Sequence, residues 1–169
     1  MGGIGVRQRY DVLFHAAVES VGVVPRRVLV IEDSNEDYTA ILRAFEQASA
    51  DVDISRSETG DEALEKLREV ALGGKFAQLP QLILLDLNLP GSDGREILSE
   101  IKSDESLKMI PVVVLTTSTN PRDVADCYRK GVSGYCTKGG GRTQFEATIR
   151  AIQTFWLETA VLPDWAKPR

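Results

Sequence analysis

The sequence has little of what zinc sites, disulfide frameworks and membrane spans are built from. It contains two cysteines and one histidine among 169 residues. Cys127 and Cys136 lie in apolar segments without C-x-x-C spacing, so we interpret them as small buried hydrophobic residues. The longest apolar runs, such as residues 111–115, are far shorter than the roughly 20 residues that a membrane-spanning helix needs. We therefore expect no membrane association.

An excess of basic charge is also absent. The formal net charge is -5, so overall charge provides no attraction to phosphate backbones, and we expect no direct nucleic-acid partner. We expect no secretory leader at the N-terminus, because His15 and Glu19 interrupt the apolar stretch that follows Arg9. We expect a cytoplasmic protein whose length suits one substantial core.

Three segments carry apolar residues at consecutive positions: residues 28–31, 82–85 and 112–115. Such runs are typical of strands that helices cover on both faces. Between the runs, apolar residues recur at helical spacing and would place one stripe against a sheet. These residues are Tyr38, Ile41, Leu42 and Phe45 in the first intervening segment, and Ala63, Leu64, Leu67 and Ala71 in the second.

Two weaker segments complete the set of strands. Residues 52–56 alternate in polarity, as in an edge strand, and residues 134–136 form a short fifth strand. Strands alternating with helices predict an α/β fold, a doubly wound five-stranded parallel sheet with five helices. We place this domain at residues 26–158, with a 1–25 extension that is a short helix or disordered, and a 159–169 tail.

Local signals mark where the helices begin and end. Three pairs with capping-box spacing predict helix starts, and they are Thr59 with Glu62, Asp93 with Glu96, and Thr143 with Glu146. A fourth start is predicted by Asn120 followed by Pro121. Glycines predict helix ends at Gly73, Gly74 and Gly131.

Polar residues end four of the predicted strands. Glu32 and Asp33 follow the first, Asp86 the third, residues 116–118 the fourth, and Lys138 the fifth. Strands commonly end in polar residues as they emerge into solvent, which would account for any one of these positions. In a doubly wound sheet, however, ligands bind beyond the carboxyl ends of the strands, and four such positions together predict a site there.

The carboxylates at these strand ends indicate a metal ion. Two carboxylates in close contact near a protein surface repel by about 4 kcal/mol, so a cation is needed among Glu32, Asp33 and Asp86. Mg2+ suits oxygen ligands and keeps water molecules for an incoming phosphate. Zinc would need His or Cys ligands, and a calcium loop would need ligands at alternate positions that this sequence does not supply.

Four motifs resemble those of response-regulator receiver domains: VLVIEDS (28–34), LILLDLNLPGSDG (82–94), PVVVLTTS (111–118) and GYCTKGG (134–140). Their order and spacing match the family over about residues 26 to 158. The segment FWLETAVLP (155–163) further resembles the stand-alone regulators that partner phytochrome-type histidine kinases. The resemblance implies a flavodoxin-like sheet with strand order 2-1-3-4-5.

The resemblance also implies roles for individual residues. Asp86 resembles the phosphoacceptor, which takes a phosphoryl group from a kinase phosphohistidine. Asp33, Asp86 and the backbone carbonyl of Asn88 resemble the Mg2+ ligands, with Glu32 acting through a metal-bound water. Lys138 would bind one phosphate oxygen.

A switch is implied by the same family. Thr116 would donate its hydroxyl to another phosphate oxygen and move inward, and Tyr135 resembles the aromatic residue that rotates to fill the space. One departure affects this region, because family members usually carry proline after the lysine, whereas Gly139, Gly140 and Gly141 follow Lys138 here. We expect a looser loop and a less preorganised lysine.

Three other functions would use part of the same sequence pattern. A haloacid-dehalogenase-type phosphatase would need a second aspartate two residues after the nucleophile, where Asn88 stands, so we expect no dedicated enzyme. A degenerate receiver that only docks partners is supported by the glycine run. A transcription factor is disfavoured because eleven residues after Glu158 do not house a DNA-binding domain. We expect output through an unknown downstream protein.

Apolar residues near the C-terminus exceed what is needed to cover the sheet, and such an excess generally marks an interface. One stripe is enough to cover the sheet, and it consists of Phe145, Ile149, Ile152 and Trp156. Phe155 and Leu157 flank that stripe, so at least one of them should point away from it, and Val161 and Leu162 extend the apolar stretch. From the residues alone, a tail that folds back over its own domain or over the N-terminal segment is an equal alternative. The resemblance to phytochrome-associated regulators implies a symmetric homodimer through the fourth helix, fifth strand and fifth helix.

Overall fold

Within the described residues, seven segments form β-strands, and five of them make one parallel sheet. The computed structural model describes residues 25–46 and 51–163. In chain order the strands are β1 (Arg26–Ile31), β2 (Val52–Ser57), β3 (Leu82–Leu85), β4 (Asn88–Leu89), β5 (Ser92–Asp93), β6 (Val112–Thr116) and β7 (Gly134–Thr137). The parallel sheet has the order β2-β1-β3-β6-β7, and β4 and β5 form a small antiparallel hairpin. Counting only the strands of the parallel sheet, this is the predicted order 2-1-3-4-5, which is confirmed.

The described residues form the five predicted α-helices, of which four connect strands of the sheet and the fifth follows β7. They are α1 (Asn35–Glu46), α2 (Gly60–Leu72), α3 (Gly94–Ser103), α4 (Pro121–Arg129) and α5 (Gly141–Gln153). A 3-10 turn (Phe76–Gln78) precedes β3, and a π-helical turn (Thr154–Thr159) continues α5. Among the described residues, no helix is both long enough and apolar enough to cross a bilayer.

The sheet separates two hydrophobic cores, because successive side chains of a strand point to opposite faces. In β1, Leu29 and Ile31 enter the core shared with α2, α3 and α4. Val28 and Val30 enter the core shared with α1 and α5. The apolar runs in β1, β3 and β6 are buried on both faces, as their sequence predicts.

The edge strands differ from the central ones. In β2, Val52 and Ile54 are buried while Asp53 and Ser55 are exposed, so its predicted half-exposed character is confirmed. At the other edge, β7 is only partly buried. Of the two cysteines, Cys127 is buried, but Cys136 is partly exposed because it lies in β7.

Most of the predicted helix starts are confirmed, and one is wrong. Thr59, Asp93 and Asn120 each accept a hydrogen bond from a backbone N–H of the helix that follows. The predicted start at Thr143 is wrong, because α5 begins at Gly141 after Gly140 as its N-cap residue. Gly140 and Gly141 have φ of 88° and 79°, a left-handed conformation that turns the chain into the helix three residues earlier than predicted.

The predicted extension and tail lie mostly outside the described residues. The proposed short helix near the N-terminus, with apolar residues at helical spacing from Tyr10 to Val18, falls in this part of the chain. Residues 159–163 of the tail are described, and of these Thr159 ends the π-helical turn and residues 160–163 follow it.

Gly94 is predicted to be essential for stability, because it has no room for a side chain. A Cβ at this position would lie 2.6 Å from Leu87 Cα and would collide with the backbone oxygen of Asp86. We expect Gly94→Ala to lower the free energy of unfolding by about 2 kcal/mol, measured by urea denaturation. Gly134→Ala is the matched control, since its Cβ would meet only Val113 at 3.7 Å. Equal stability of the two variants would contradict this prediction.

Candidate functional site

The carboxyl ends of four neighbouring strands meet at one edge of the parallel sheet. Glu32 follows β1, Asp86 follows β3, Thr116 ends β6, and Lys138 follows β7. The parallel register brings these ends level, as in the pairing of Ile31 with Leu85. Glu32, Asp86 and Thr116 are buried polar residues. The structure thus brings together four of the strand-end residues that the sequence singled out.

The ammonium group of Lys138 is bound by three carboxylates. Its Nζ lies 2.6 Å from Glu32 Oε2, 2.7 Å from Asp86 Oδ2 and 2.8 Å from Asp37 Oδ2. The Lys138 side chain is only 6% exposed. Burial alone would lower the pKa of Lys138, but the hydrogen bonds to Asp37, Asp86 and Glu32 outweigh burial and raise it. Lys138 is therefore a fixed positive charge at physiological pH.

Glu32 combines deep burial with two hydrogen bonds. Burial raises the pKa of Glu32, and the Lys138 ammonium and the Ser34 N–H, 3.0 Å from Glu32 Oε1, act in the opposite direction. The two oxygens of this carboxylate are thus held by different groups, one from β7 and one from the loop after β1.

Asp86 is also held through both carboxylate oxygens. Oδ2 accepts from Lys138, and Oδ1 accepts a hydrogen bond of 3.1 Å from the backbone N–H of Asn88. This second bond tightens the turn that leads from β3 into the hairpin. Asp86 lies at a strand end beside the Lys138 ammonium group. This position suits a carboxylate that reacts with an electrophilic group.

An acidic cluster suits a divalent cation. Carboxylate oxygens of Glu32, Asp33 and Asp86 lie within 4.8 Å of one another, with Asp33 exposed and the other two buried. Carboxylate oxygens are the ligands that Mg2+ prefers, and the exposed side leaves space for water ligands. The residues present therefore fit the predicted Mg2+. Asn88, the fourth predicted ligand through its carbonyl, lies in β4 two residues after Asp86.

Thr116 is held in place by its neighbours. Its Oγ1 accepts hydrogen bonds of 3.3 Å from Asn88 Nδ2 and from the backbone N–H of Ser118. Asn88 Nδ2 also lies 3.4 Å from Thr117 Oγ1. Through these contacts, the loop after β6 is connected directly to the turn that carries Asp86.

Tyr135 points inward, which the sequence alone did not determine. Its hydroxyl donates a hydrogen bond of 3.0 Å to the backbone carbonyl of Ser118, and its ring packs against the core on the side of α2, α3 and α4. Burial raises the pKa of the Tyr135 hydroxyl, so this group remains a neutral donor at physiological pH. Tyr135 thus closes over the loop after β6.

A further chain of polar contacts connects this loop to α3. Ser118 Oγ donates to Asp123 at 2.6 Å, and Asp123 accepts from Arg95 at 2.5 Å. Arg95 also binds Asp93 at 2.7 Å, at the N-cap of α3. The first turns of α3 and α4 are therefore joined through one guanidinium group.

Sequence reasoning missed three residues of this region: Asp37, Arg56 and Arg95. Arg56, in β2, donates to the backbone carbonyls of Glu32 and Asp33 at 2.8 Å each and so holds the loop after β1. Asp37 was visible as the fourth acidic residue of IEDSNED, but helix α1 had to be placed before its side chain could be assigned to the site. Nothing in the sequence pairs Arg56 or Arg95 with partners so distant along the chain.

Known proteins share both the motifs and the geometry. A family model described as the response regulator receiver domain matches residues 28–150. Response regulator Rcp1 of Synechocystis sp. is 40% identical over 141 residues, which cover 82% of this chain and 94% of that protein.

Two crystal structures superimpose on this fold with a TM-score of 0.76 each. The phosphorylated cyanobacterial phytochrome response regulator RcpA shares 41% sequence identity over 83% of this chain and 99% of its own. The Mn2+-bound form of Rcp1 shares 40% over 82% of this chain and 99% of its own. The family match includes Glu32, Asp86, Thr116 and Lys138, so the predicted resemblance is confirmed and the chain belongs to the family of response regulator receiver domains.

Proposed function

We propose that the protein is the phosphoacceptor of a two-component phosphorelay, phosphorylated on Asp86 by a sensor histidine kinase. In this reaction a carboxylate oxygen of Asp86 attacks the phosphorus atom of the kinase phosphohistidine. The new P–O bond forms as the P–N bond breaks, and its electron pair leaves with the imidazole. The observation that carries the proposal is the contact of Asp86 with Lys138 beside the acidic cluster.

The groups around Asp86 supply what phosphoryl transfer needs, which is positioned positive charge and hydrogen-bond donors. Mg2+, when held by Glu32, Asp33, Asp86 and the Asn88 carbonyl, would supply positive charge to the phosphoryl oxygens. Lys138 provides a second positive charge. The bound Mn2+ of Rcp1 and the phosphorylated state of RcpA, both similar to this chain, support these assignments.

The partner that we propose is a phytochrome-type histidine kinase in the cytoplasm. The support is the similarity to RcpA, which is described as a phytochrome response regulator. We propose no separate catalytic activity, because Asn88 occupies the position where an aspartyl-phosphate phosphatase would carry its acid-base aspartate. Signal output then depends on binding a downstream protein.

Substitution of Asp86 is the direct test. We expect Asp86→Asn to abolish labelling by radioactive acetyl phosphate, because the amide is not a nucleophile, and we expect EDTA to abolish labelling of the unsubstituted protein. Asp61→Asn, at an exposed position in the first turn of α2, is the control and should label normally. Labelled Asp86→Asn would show that another residue is the acceptor. Absence of label on the unsubstituted protein would instead favour the alternative of a degenerate receiver that only docks partners.

Thr116 and Tyr135 are proposed to report the state of Asp86 to the surface. Thr116 already contacts Asn88 in the turn of Asp86, and Tyr135 binds the carbonyl of Ser118 two residues further along the loop. A phosphoryl oxygen that takes the Thr116 hydroxyl would break the existing contacts of Oγ1 and move this loop. The contacts of Ser118 with Asp123 would then carry the movement to α4.

We call the proposed transmission from Asp86 through Thr116 and Tyr135 the relay. It predicts that Thr116 and the neighbouring Thr117 differ in how their substitution affects the response to phosphorylation. We expect Thr116→Ala to keep its labelling but to reduce the phosphorylation-dependent change in hydrogen exchange of residues 116–138. Thr117→Ala is the matched control, because Thr117 is the adjacent residue and is exposed, whereas Thr116 is fully buried. A full response in Thr116→Ala would remove this residue from the relay.

We also propose a symmetric homodimer through α4, β7 and α5, with the C-terminal segment contributing. Phe155 is 53% exposed and Val161 is 99% exposed, whereas Leu157 is buried. The prediction that at least one residue beside the α5 stripe points outward is thus confirmed, and that residue is Phe155. β7 is an edge strand of the sheet, so this exposed apolar surface adjoins an open edge.

The dimer is tested by light scattering over a dilution series, with and without beryllium fluoride as a phosphate mimic. We expect a dimer mass for the unsubstituted protein and a dissociation constant raised by on the order of tenfold in Phe155→Asp, because a desolvated charge would enter the interface. Leu72→Asp, at an exposed apolar position on α2, is the control. A monomer mass in every condition would exclude the dimer.

A further inference from the structure

Asp37 contacts Lys138, although Asp37 has no role in the phosphoryl transfer that is proposed above. Of the three carboxylates around the ammonium group, Asp86 is the proposed acceptor and Glu32 belongs to the acidic cluster. Asp37 is not part of that cluster, yet its Oδ2 lies 2.8 Å from Lys138 Nζ. It is therefore the partner that stays available to Lys138 when the other two carboxylates bind a cation or a phosphoryl group.

The backbone after Lys138 provides little restraint. The Lys138 N–H donates to the Thr116 carbonyl at 2.8 Å, which fixes the end of β7. Three glycines follow, and a Cβ added at Gly139 would meet no heavy atom closer than 4.0 Å. A lysine side chain is long and has several rotatable bonds, so its ammonium group needs side-chain partners to stay at one position.

Asp37 is itself on a rigid support. It lies in the first turn of α1, where a carboxylate is favoured by the helix dipole, and its N–H donates to Ser34 Oγ at 3.2 Å. Helix α1 packs against α5 in the core that contains Phe45 and Ile149. α5 begins at Gly141, the last residue of the glycine run, so α1 is anchored next to the loop that carries Lys138.

We infer that Asp37 is a positioning residue that holds the Lys138 ammonium group beside Asp86, in place of the restraint that the glycine loop does not provide. The expected consequence of this positioning is faster phosphorylation of Asp86, and this part of the inference rests on the proposed function. The position of the ammonium group itself can be measured in metal-free, unphosphorylated protein. The two parts are therefore tested separately.

The first experiment measures hydrogen exchange of the Lys138 ammonium protons by NMR in metal-free protein. We expect protected protons in the unsubstituted protein and loss of protection in Asp37→Asn, which keeps the side-chain shape but removes the charge. Glu36→Gln is the matched control, because Glu36 lies in the same helical turn, is exposed and loses the same charge. Equal protection in Asp37→Asn and the unsubstituted protein would overturn the inference.

The second experiment measures the rate of labelling by acetyl phosphate at saturating Mg2+. We expect Asp37→Asn to be slower by on the order of tenfold, since a displaced cation is poorly placed to stabilise the transition state. Asp37→Glu should recover most of this rate because its carboxylate still reaches the ammonium group, and Glu36→Gln should label normally. Unchanged labelling of Asp37→Asn would overturn the kinetic part.

The outcomes separate the two proposals. If the unsubstituted protein takes no label, the proposed function fails, and the exchange experiment still decides whether Asp37 holds Lys138. Urea denaturation of all variants accompanies both experiments. A rate loss that is matched by a fall in the unfolding midpoint and is not recovered in Asp37→Glu would mean that Asp37 only stabilises the fold.

Discussion

The buried ammonium group of Lys138 is the interaction on which the site depends. Parallel strands necessarily bring their carboxyl ends to one edge, and in this chain that places acidic residues from β1 and β3 close together. Their mutual repulsion would oppose folding of the edge in the absence of a cation. Lys138 supplies a charge within the chain, since it binds Glu32, Asp37 and Asp86 at once. The acidic pocket is thereby tolerated before any metal arrives.

Much of the fold was accessible from the sequence, because the signals involved are local. Consecutive apolar residues predicted the central strands, and alternation in polarity predicted β2. The polar residues at the strand ends predicted that Glu32, Asp86, Thr116 and Lys138 lie at one edge of the sheet. The start of α5 was not accessible, since a threonine at capping spacing competed with glycines whose left-handed conformation depends on the loop around them. The side-chain direction of Tyr135 depends on the Ser118 carbonyl, which only the folded loop places there.

The residues that escaped prediction share one property, which is that their partners are distant in the sequence. Arg56 organises the loop after β1 from the neighbouring strand, and Arg95 joins the first turns of α3 and α4. Neither side chain belongs to the acidic cluster. Arg56 holds the loop after β1, and Arg95 contacts the loop after β6 through Asp123 and Ser118. Gly94 also affects the position of a segment near the site. Because glycine has no side chain, α3 can begin in direct contact with the backbone of Asp86 and Leu87.

The π-helical turn at Thr154–Thr159 follows α5 and separates that helix from the C-terminal segment. Its wide hydrogen bond runs from the Ala160 N–H to the Phe155 carbonyl, so one extra residue is accommodated without disturbing the buried Ile152. The thirteen residues of α5 extend about 20 Å from the glycine loop. Sequence changes beyond Gln153 can therefore alter which surface the protein presents to other molecules, while the residues that surround Asp86 keep their arrangement. Such spatial separation allows the surface that a receiver domain offers to partners to change without rearranging its acidic site.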